Sequence, residues 1–312
     1  MSKVNSVEGV TLANAPISYG AFEVTVGIDP HVPDGLQVLD EVSSAGYAGI
    51  DLGPVGYLGS GAELGNRLGD RGLGLAGAYL EFPFADDEAL AGVLPQLDAM
   101  LDTFDAVASH VVGPAPRPTI ADNGSEARRA HPGSGARSPE SGHDSATWER
   151  FAVGLSKVVD RCRSRGYEPT FHHETGTFVE SPAEIEKVLS LSDVGLCLDT
   201  GHFLIGGGKP LEFLRTWSSR INHVHIKDAS LTKFDSIVRA GEPATAIWSR
   251  EVFPVLGEGD LDARSFVTEL IGIGYQGWLV VEQDILPQTP ERFARAIQDQ
   301  HANRAFLAEL GI

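Results

Sequence analysis

Residues 194–228 read Val194-Gly-Leu-Cys-Leu-Asp-Thr-Gly-His202, then Phe203-Leu-Ile-Gly-Gly-Gly-Lys-Pro-Leu-Glu-Phe-Leu-Arg-Thr-Trp-Ser-Ser-Arg220, then Ile221-Asn-His-Val-His-Ile-Lys-Asp228. The outer pieces are short apolar runs of strand length, and residues 210–219 between them have a helical pattern. Strand, helix and strand in this compass make one βαβ unit, which implies parallel pairing.

The same alternation extends outward in both directions. Strands are expected at 10–17, 49–52, 73–80, 108–112, 169–174, 194–199, 221–225 and 277–282. Helices are expected at 35–45, 61–70, 86–104, 145–164, 181–191, 210–219, 262–273 and 290–310. Local chemistry agrees. Ser181-Pro182 followed by Glu184 is a capping box with Pro at the first helical position, and Asp262 reads as an N-cap. Gly46, Gly166 and Gly274 each end a helical pattern and precede a Tyr. Eight such units predict an α/β fold, a single-domain (β/α)₈ TIM barrel. An open dinucleotide-binding sheet needs a Gly-rich phosphate fingerprint after an early strand, and Gly206-Gly-Gly208 lacks that pattern and its acidic partner. Residues 113–144, rich in Gly, Pro, Ser, Arg and Ala, break the rhythm. They are expected to form a long flexible loop after strand four, serving as a lid or remaining disordered.

The chain has 312 residues, 42% hydrophobic and 21% charged, and a net charge of −19. That charge repels phosphate backbones and anionic membranes, so neither a nucleic acid nor a membrane is expected as partner. Two cysteines, Cys162 and Cys197, make no disulfide framework. Residues 1–10 carry no apolar signal core, and no apolar run is long enough to span a bilayer, which together predict a cytoplasmic protein.

In a barrel the catalytic residues come from the C-terminal ends of strands. Four successive strands here end in metal-ligand types: His172-His-Glu174, Asp199-Thr-Gly-His202, His223-Val-His-Ile-Lys-Asp228 and Glu282-Gln-Asp284. One such ending is ordinarily a cap or a surface charge. Four converging on one space need a cation, because buried carboxylates repel. The expected ligand set is Glu174, Asp199, His225 and Glu282. It is oxygen-rich and suits a divalent ion, Mn²⁺ foremost, with Co²⁺, Mg²⁺ or Zn²⁺ as alternatives. Strand alternation puts His172 on the pocket face and turns His173 toward the helices.

These motifs, with Ala15-Pro-Ile-Ser-Tyr-Gly20, Gly53-Pro-Val-Gly-Tyr-Leu58 and Val255-Leu-Gly-Glu-Gly-Asp260, resemble the xylose isomerase-like barrel superfamily. The pattern is closest to the inosose dehydratases within it. The resemblance implies that the same quartet binds metal, and that His202 and Glu180 bind or polarise the substrate. Asp51 stands where relatives often carry Glu.

The implied chemistry is dehydration of a keto-cyclitol through an enediolate. The alternatives are isomerisation or epimerisation of a sugar or keto-sugar, and elimination on a keto-glycoside. In that scheme Glu282 or Glu174 takes the α-proton, Lys227 steadies the oxyanion, and His202 or His172 protonates a leaving hydroxyl. Arg239 is the candidate substrate-facing cation, weighed against an ordinary exposed arginine. The expected partner is a small polyhydroxylated ketone or sugar, unphosphorylated. The chain is expected to form a homo-oligomer, a dimer or tetramer. A DNA-repair endonuclease would need more His ligands and a basic face, and a non-catalytic sugar-binding subunit would not need the intact quartet.

Overall fold

The structure, a computed structural model, describes residues 9–312. Its strands are β1 (Val10–Asn14), β2 (Gly49–Ile50), β3 (Gly74–Leu75), β4 (Gly77–Phe82), β5 (Arg117–Asp122), β6 (Thr170–His172), β7 (Gly195–Asp199), β8 (Ile221–Ile226) and β9 (Gly277–Val281). All pair in parallel, in the order β3-β2-β1-β9-β8-β7-β6-β5-β4. β3 and β4 are two parts of one stave. Between them the Ala76 N–H donates to the Ile50 carbonyl at 2.9 Å, and the Ala76 carbonyl accepts from the Arg117 N–H at 3.0 Å. The nine pieces therefore close as eight staves, with helices between them, which is the barrel the periodicity implies.

The fourth stave corrects the sequence reading. The helix beginning after Asp86 runs on as Asp87–Val107, because Leu97, Leu101, Phe104 and Val107 continue its buried face. Residues 108–112 are its exit, and Val112 is exposed. The strand is Arg117–Asp122, inside the stretch taken for a loop. Its Arg-Pro start hid the pattern, since Pro has no N–H to give to a ladder. Residues 123–144 then follow the strand and fold as two short helices, Glu126–Ala130 and Ser134–Arg137, and a 3₁₀ turn, Pro139–Ser141. A further helix, Leu231–Ala240, lies after β8, where none was assigned.

Local signals are realised as chemistry. Ser181 and Glu184 form the reciprocal capping box, and Asp262 accepts from the Ser265 N–H at 3.1 Å. Asp34 caps the helix Gly35–Ala45, with Gln37 closing the box. Gly46 ends that helix at φ +87°, a left-handed conformation that a side chain would strain.

Alternation along the strands sorts the interior into layers. On β9, Trp278, Val280 and Glu282 share the inward face; on β8, His223, His225 and Lys227 do. Trp278 is 1% exposed and packs with Ala13, Ala15, Ala76 and Val280. A Cβ on Gly49 would stand 2.5 Å from its ring, so the small residues of β2 and β3 make room for this plug. A larger apolar cluster fills the space between barrel and helices. Among the described residues, no helix is long and apolar enough to cross a membrane.

Candidate metal centre and active site

Asp199 ends β7 and caps the helix Thr200–Ile205, its Oδ1 accepting from the His202 N–H at 2.9 Å. That bond turns Oδ2 inward, where it makes no well-formed hydrogen bond and faces the Lys227 ammonium at 3.1 Å. His225 on β8 and Glu282 just after β9 meet it: His225 Nδ1 lies 3.3 Å from Glu282 Oε2 and 3.9 Å from Asp199 Oδ2. These donor atoms all fall within 4.8 Å of one another. Both His225 nitrogens are also buried without hydrogen-bond partners. Two convergent carboxylates and an imidazole whose two nitrogens lack hydrogen-bond partners fit a divalent cation. His225 Nε2 faces Asp51 Oδ2 at 3.6 Å. A carboxylate beside Nε2 would help orient the ring if Nδ1, on the side of Asp199 and Glu282, were to hold a cation.

The fourth expected ligand, Glu174, is in none of the groups of donor atoms within 4.8 Å of one another. Glu174 Oε2 accepts from the Tyr79 hydroxyl, which also reaches Glu81 at 3.1 Å. Burial, then the neighbouring Glu81, raises the Glu174 carboxyl to about 8. His172 groups with His225 and Cys197, and its Nε2 lies 3.6 Å from Asp199 Oδ2. His173, as the alternation implied, is fully buried against Phe203, and its Nε2 accepts from the Asp199 N–H at 3.3 Å.

Lys227 is 1% exposed and lies among three carboxylates. Its Nζ is 3.1 Å from Asp199, 2.9 Å from Glu282 and 2.9 Å from Asp284. Burial works against its charge, but these carboxylates hold its pKa well above the usual lysine value. The reciprocal effect is shared unequally. Burial would raise Asp199 and Glu282, yet Lys227 and the neighbouring histidines hold both below the usual range. Asp284 is left to burial and to its neighbours' charge, and rises to about 7. One ammonium cannot neutralise three carboxylates.

His202 is buried in the same space, its Nδ1 3.1 Å from Thr175 Oγ1 and its Nε2 3.7 Å from Asp284. Burial, then Lys227, depresses its pKa well below the ordinary histidine value, so the ring is neutral. Thr175, Asp284, Asp51 and Tyr79 were absent from the residues expected here. Asp284 had a signal, sharing a face with Glu282 at period two. Tyr79 had none, since an aromatic in a strand reads as core.

Two expected substrate contacts are placed outside this cluster. Glu180 is fully buried, and its oxygens accept from Arg128 Nη1 (3.0 Å) and from the N–H groups of Gly133 (3.1 Å), Gly135 (2.6 Å) and Gly176 (2.9 Å). It has no capacity left for a substrate. It ties residues 123–144 to the turn after β6, with Arg128 also paired to Glu184. Arg239 lies on the exposed side of the helix Leu231–Ala240, in its last turn, rather than in a loop over the site. Asp228 also proves structural: its two oxygens accept four N–H groups, from Ala229, Gly257, Gly259 and Leu261, at 2.8–3.0 Å. That fastens the 255–260 motif to the end of β8.

Comparison with known proteins agrees with this architecture. The model of the xylose isomerase-like TIM barrel family matches residues 39–300. The rhizopine catabolism protein MocC of Rhizobium meliloti is 31% identical over 319 residues, covering 97% of this chain and 91% of that one. The inosose dehydratase of Geobacillus kaustophilus (strain HTA426) is 28% identical over 294 residues, 91% of each chain. The match to the inosose dehydratase of Lacticaseibacillus casei is 32% identical over 154 residues, so this chain spans about half, 52%, of that relative's length. Among solved structures, the IOLI protein with a bound zinc atom superposes at a TM-score of 0.64 and 14% identity, covering 96% of this chain and 97% of that one. At that identity the likeness is one of fold.

Proposed function

The chain belongs to the xylose isomerase-like TIM barrel family, and from this membership and the geometry of its centre we propose that it is a metal-dependent lyase dehydrating a keto-cyclitol. The carrying observation is that Asp199, His225 and Glu282 converge where Lys227 and His202, an ammonium and an imidazole, are also buried. Its substrate class follows the full-length similarity to an inosose dehydratase.

Asp199, His225 and Glu282 would hold the ion, with His172 or Glu174 completing the set and Mn²⁺ the ion we assign to it. A bound divalent ion would supply Lewis acidity toward a ketone and an adjacent hydroxyl, making the α-proton easier to remove. Glu174 takes that proton. Burial raises its carboxyl into the range where a side chain exchanges protons with a weak carbon acid. Lys227 sets positive charge against the developing oxyanion. His202, held by Thr175 at Nδ1, presents its neutral Nε2 as a hydrogen-bonding group to the β-hydroxyl, and the proton taken by Glu174 passes to that hydroxyl as it departs. The α C–H and β C–O bonds break, a C=C bond forms, and water leaves. Nothing in this scheme requires a phosphate on the substrate, and the −19 charge disfavours an anionic one. We assign the working form to a homo-oligomer.

A second reading is epimerisation. It is favoured by carboxylates on two non-adjacent staves, Glu174 after β6 and Glu282 after β9, which allow proton removal and return on different faces. The test strips and restores metal, then offers 2-keto-myo-inositol. Metal-dependent ultraviolet absorbance of a dehydrated diketone is expected. Solvent deuterium uptake without that absorbance would select epimerisation, and neither signal at confirmed metal occupancy would exclude this substrate.

A further inference from the structure

The Asp-Thr-Gly-His segment is shaped around a lysine. Thr200 Oγ1 donates to the Lys227 carbonyl at 2.7 Å and accepts from the Lys227 N–H at 2.9 Å. A Cβ on Gly201 would stand 2.7 Å from Lys227 Cγ, so the glycine opens the channel for the lysine stem. Phe253 closes that channel, its ring centroid 5.0 Å from Nζ. The ammonium thus delivered touches Asp199 and Glu282 at 3.1 and 2.9 Å, two of the three residues assigned to the ion. Two cations cannot each keep the full attraction of the same two carboxylates at such range. Asp284 also meets Nζ, at 2.9 and 3.0 Å through its two oxygens, and belongs to none of the groups converging on His225.

We propose that Lys227 is a resident counter-ion holding the metal's place between Asp199 and Glu282, and that Asp284 is the positioning residue onto which it withdraws when the ion is bound. This rests on the metal-centre reading above, and it adds a prediction that reading does not make: removing a positive charge and removing a negative one shift metal affinity in opposite directions, and the second acts through the first. Without Asp284, the ammonium has no anion to retreat to and competes with the ion. Without Lys227, the competition ends, at the cost of an apo-protein with unneutralised carboxylates.

The experiment is a double-mutant cycle read by Mn²⁺ and Zn²⁺ titration calorimetry, with thermal melting of apo and loaded forms. Lys227→Met is expected to tighten metal binding about tenfold and to lower the apo melting temperature. Asp284→Asn is expected to weaken binding, about tenfold as for other residues that orient a metal site. In the Lys227→Met background Asp284→Asn should do far less, since residues coupled through one contact are not additive. Should apo Lys227→Met not fold, the variant is prepared with metal and its affinity read by chelator competition. Unchanged or weaker binding in Lys227→Met overturns the proposal, and so does an equal Asp284→Asn effect in both backgrounds. Failure of the wild-type protein to bind either ion would sink the metal centre itself. Metal binding without turnover would remove only the proposed activity.

Discussion

At the scale of single residues, position in the network decides role more than residue type does. Asp199 and Glu180 are both buried carboxylates, yet one has an oxygen with no hydrogen-bond partner and the other has every lone pair engaged. Asp199→Asn removes a charge from the converging trio. Its metal affinity, measured by calorimetry, is expected to fall by more than the ~10–100-fold that follows loss of a residue merely orienting a ligand. Metal binding within twofold of wild type would sink the assignment of Asp199. Glu180→Ala leaves Arg128 buried beside Glu184 with one partner lost, and orphans three backbone N–H groups. Urea unfolding should show a loss of about 3–5 kcal/mol, the usual cost of breaking a buried ion pair. Wild-type stability with a raised KM would instead restore Glu180 as a substrate contact. The strand-end motifs were legible residue by residue. The sorting of Glu180 and Asp228 into structural roles was not, because it depends on partners 29 to 52 positions away.

Among elements, helix and strand identity followed from periodicity and caps, and the one misplaced stave shows the limit of that reasoning. Val111 and Val112 looked like a strand because they are β-branched, whereas Arg117 and Pro118 did not. What decided the matter was the ladder to β4 and β6, which needs six and three residues in register from 117 onward. Packing between elements is tight enough to test by a single methyl group. In the helix Ser145–Ser164, a Cβ on Gly154 would fall 2.1 Å from the Phe84 carbonyl oxygen, a backbone atom with little freedom to move. Gly154→Ala would gain helix propensity but is expected to destabilise by about 1–3 kcal/mol, as overpacked cores do. A stability equal to or above wild type in chemical denaturation would show that this helix can shift outward without cost.

For the whole molecule, the barrel is what turns a set of dispersed motifs into a centre. Glu174, Asp199, His225 and Glu282 span more than a hundred positions, and strand closure carries them to one end of the same interior, above the Trp278 plug. If the proposed cation binds the folded centre and not the unfolded chain, saturation at a hundredfold excess over Kd should stabilise by ~2.7 kcal/mol. Calorimetric melting is thus expected to show a midpoint several degrees lower in chelator than in Mn²⁺, restored on adding metal back. Identical midpoints would argue against any structural coupling of the ion. By itself the sequence determined the fold class, the number of βαβ units, the helix caps and the identity of the strand-end ligand types, since all of these are written in local periodicity and in residue chemistry. Tertiary structure alone decided that His172 stands 3.6 Å from Asp199, that Lys227 is shared among three carboxylates, and that Glu180 is held by residues 123–144. Those outcomes depend on side-chain rotation and on distances between chain-distant partners, and no spacing along a strand encodes either.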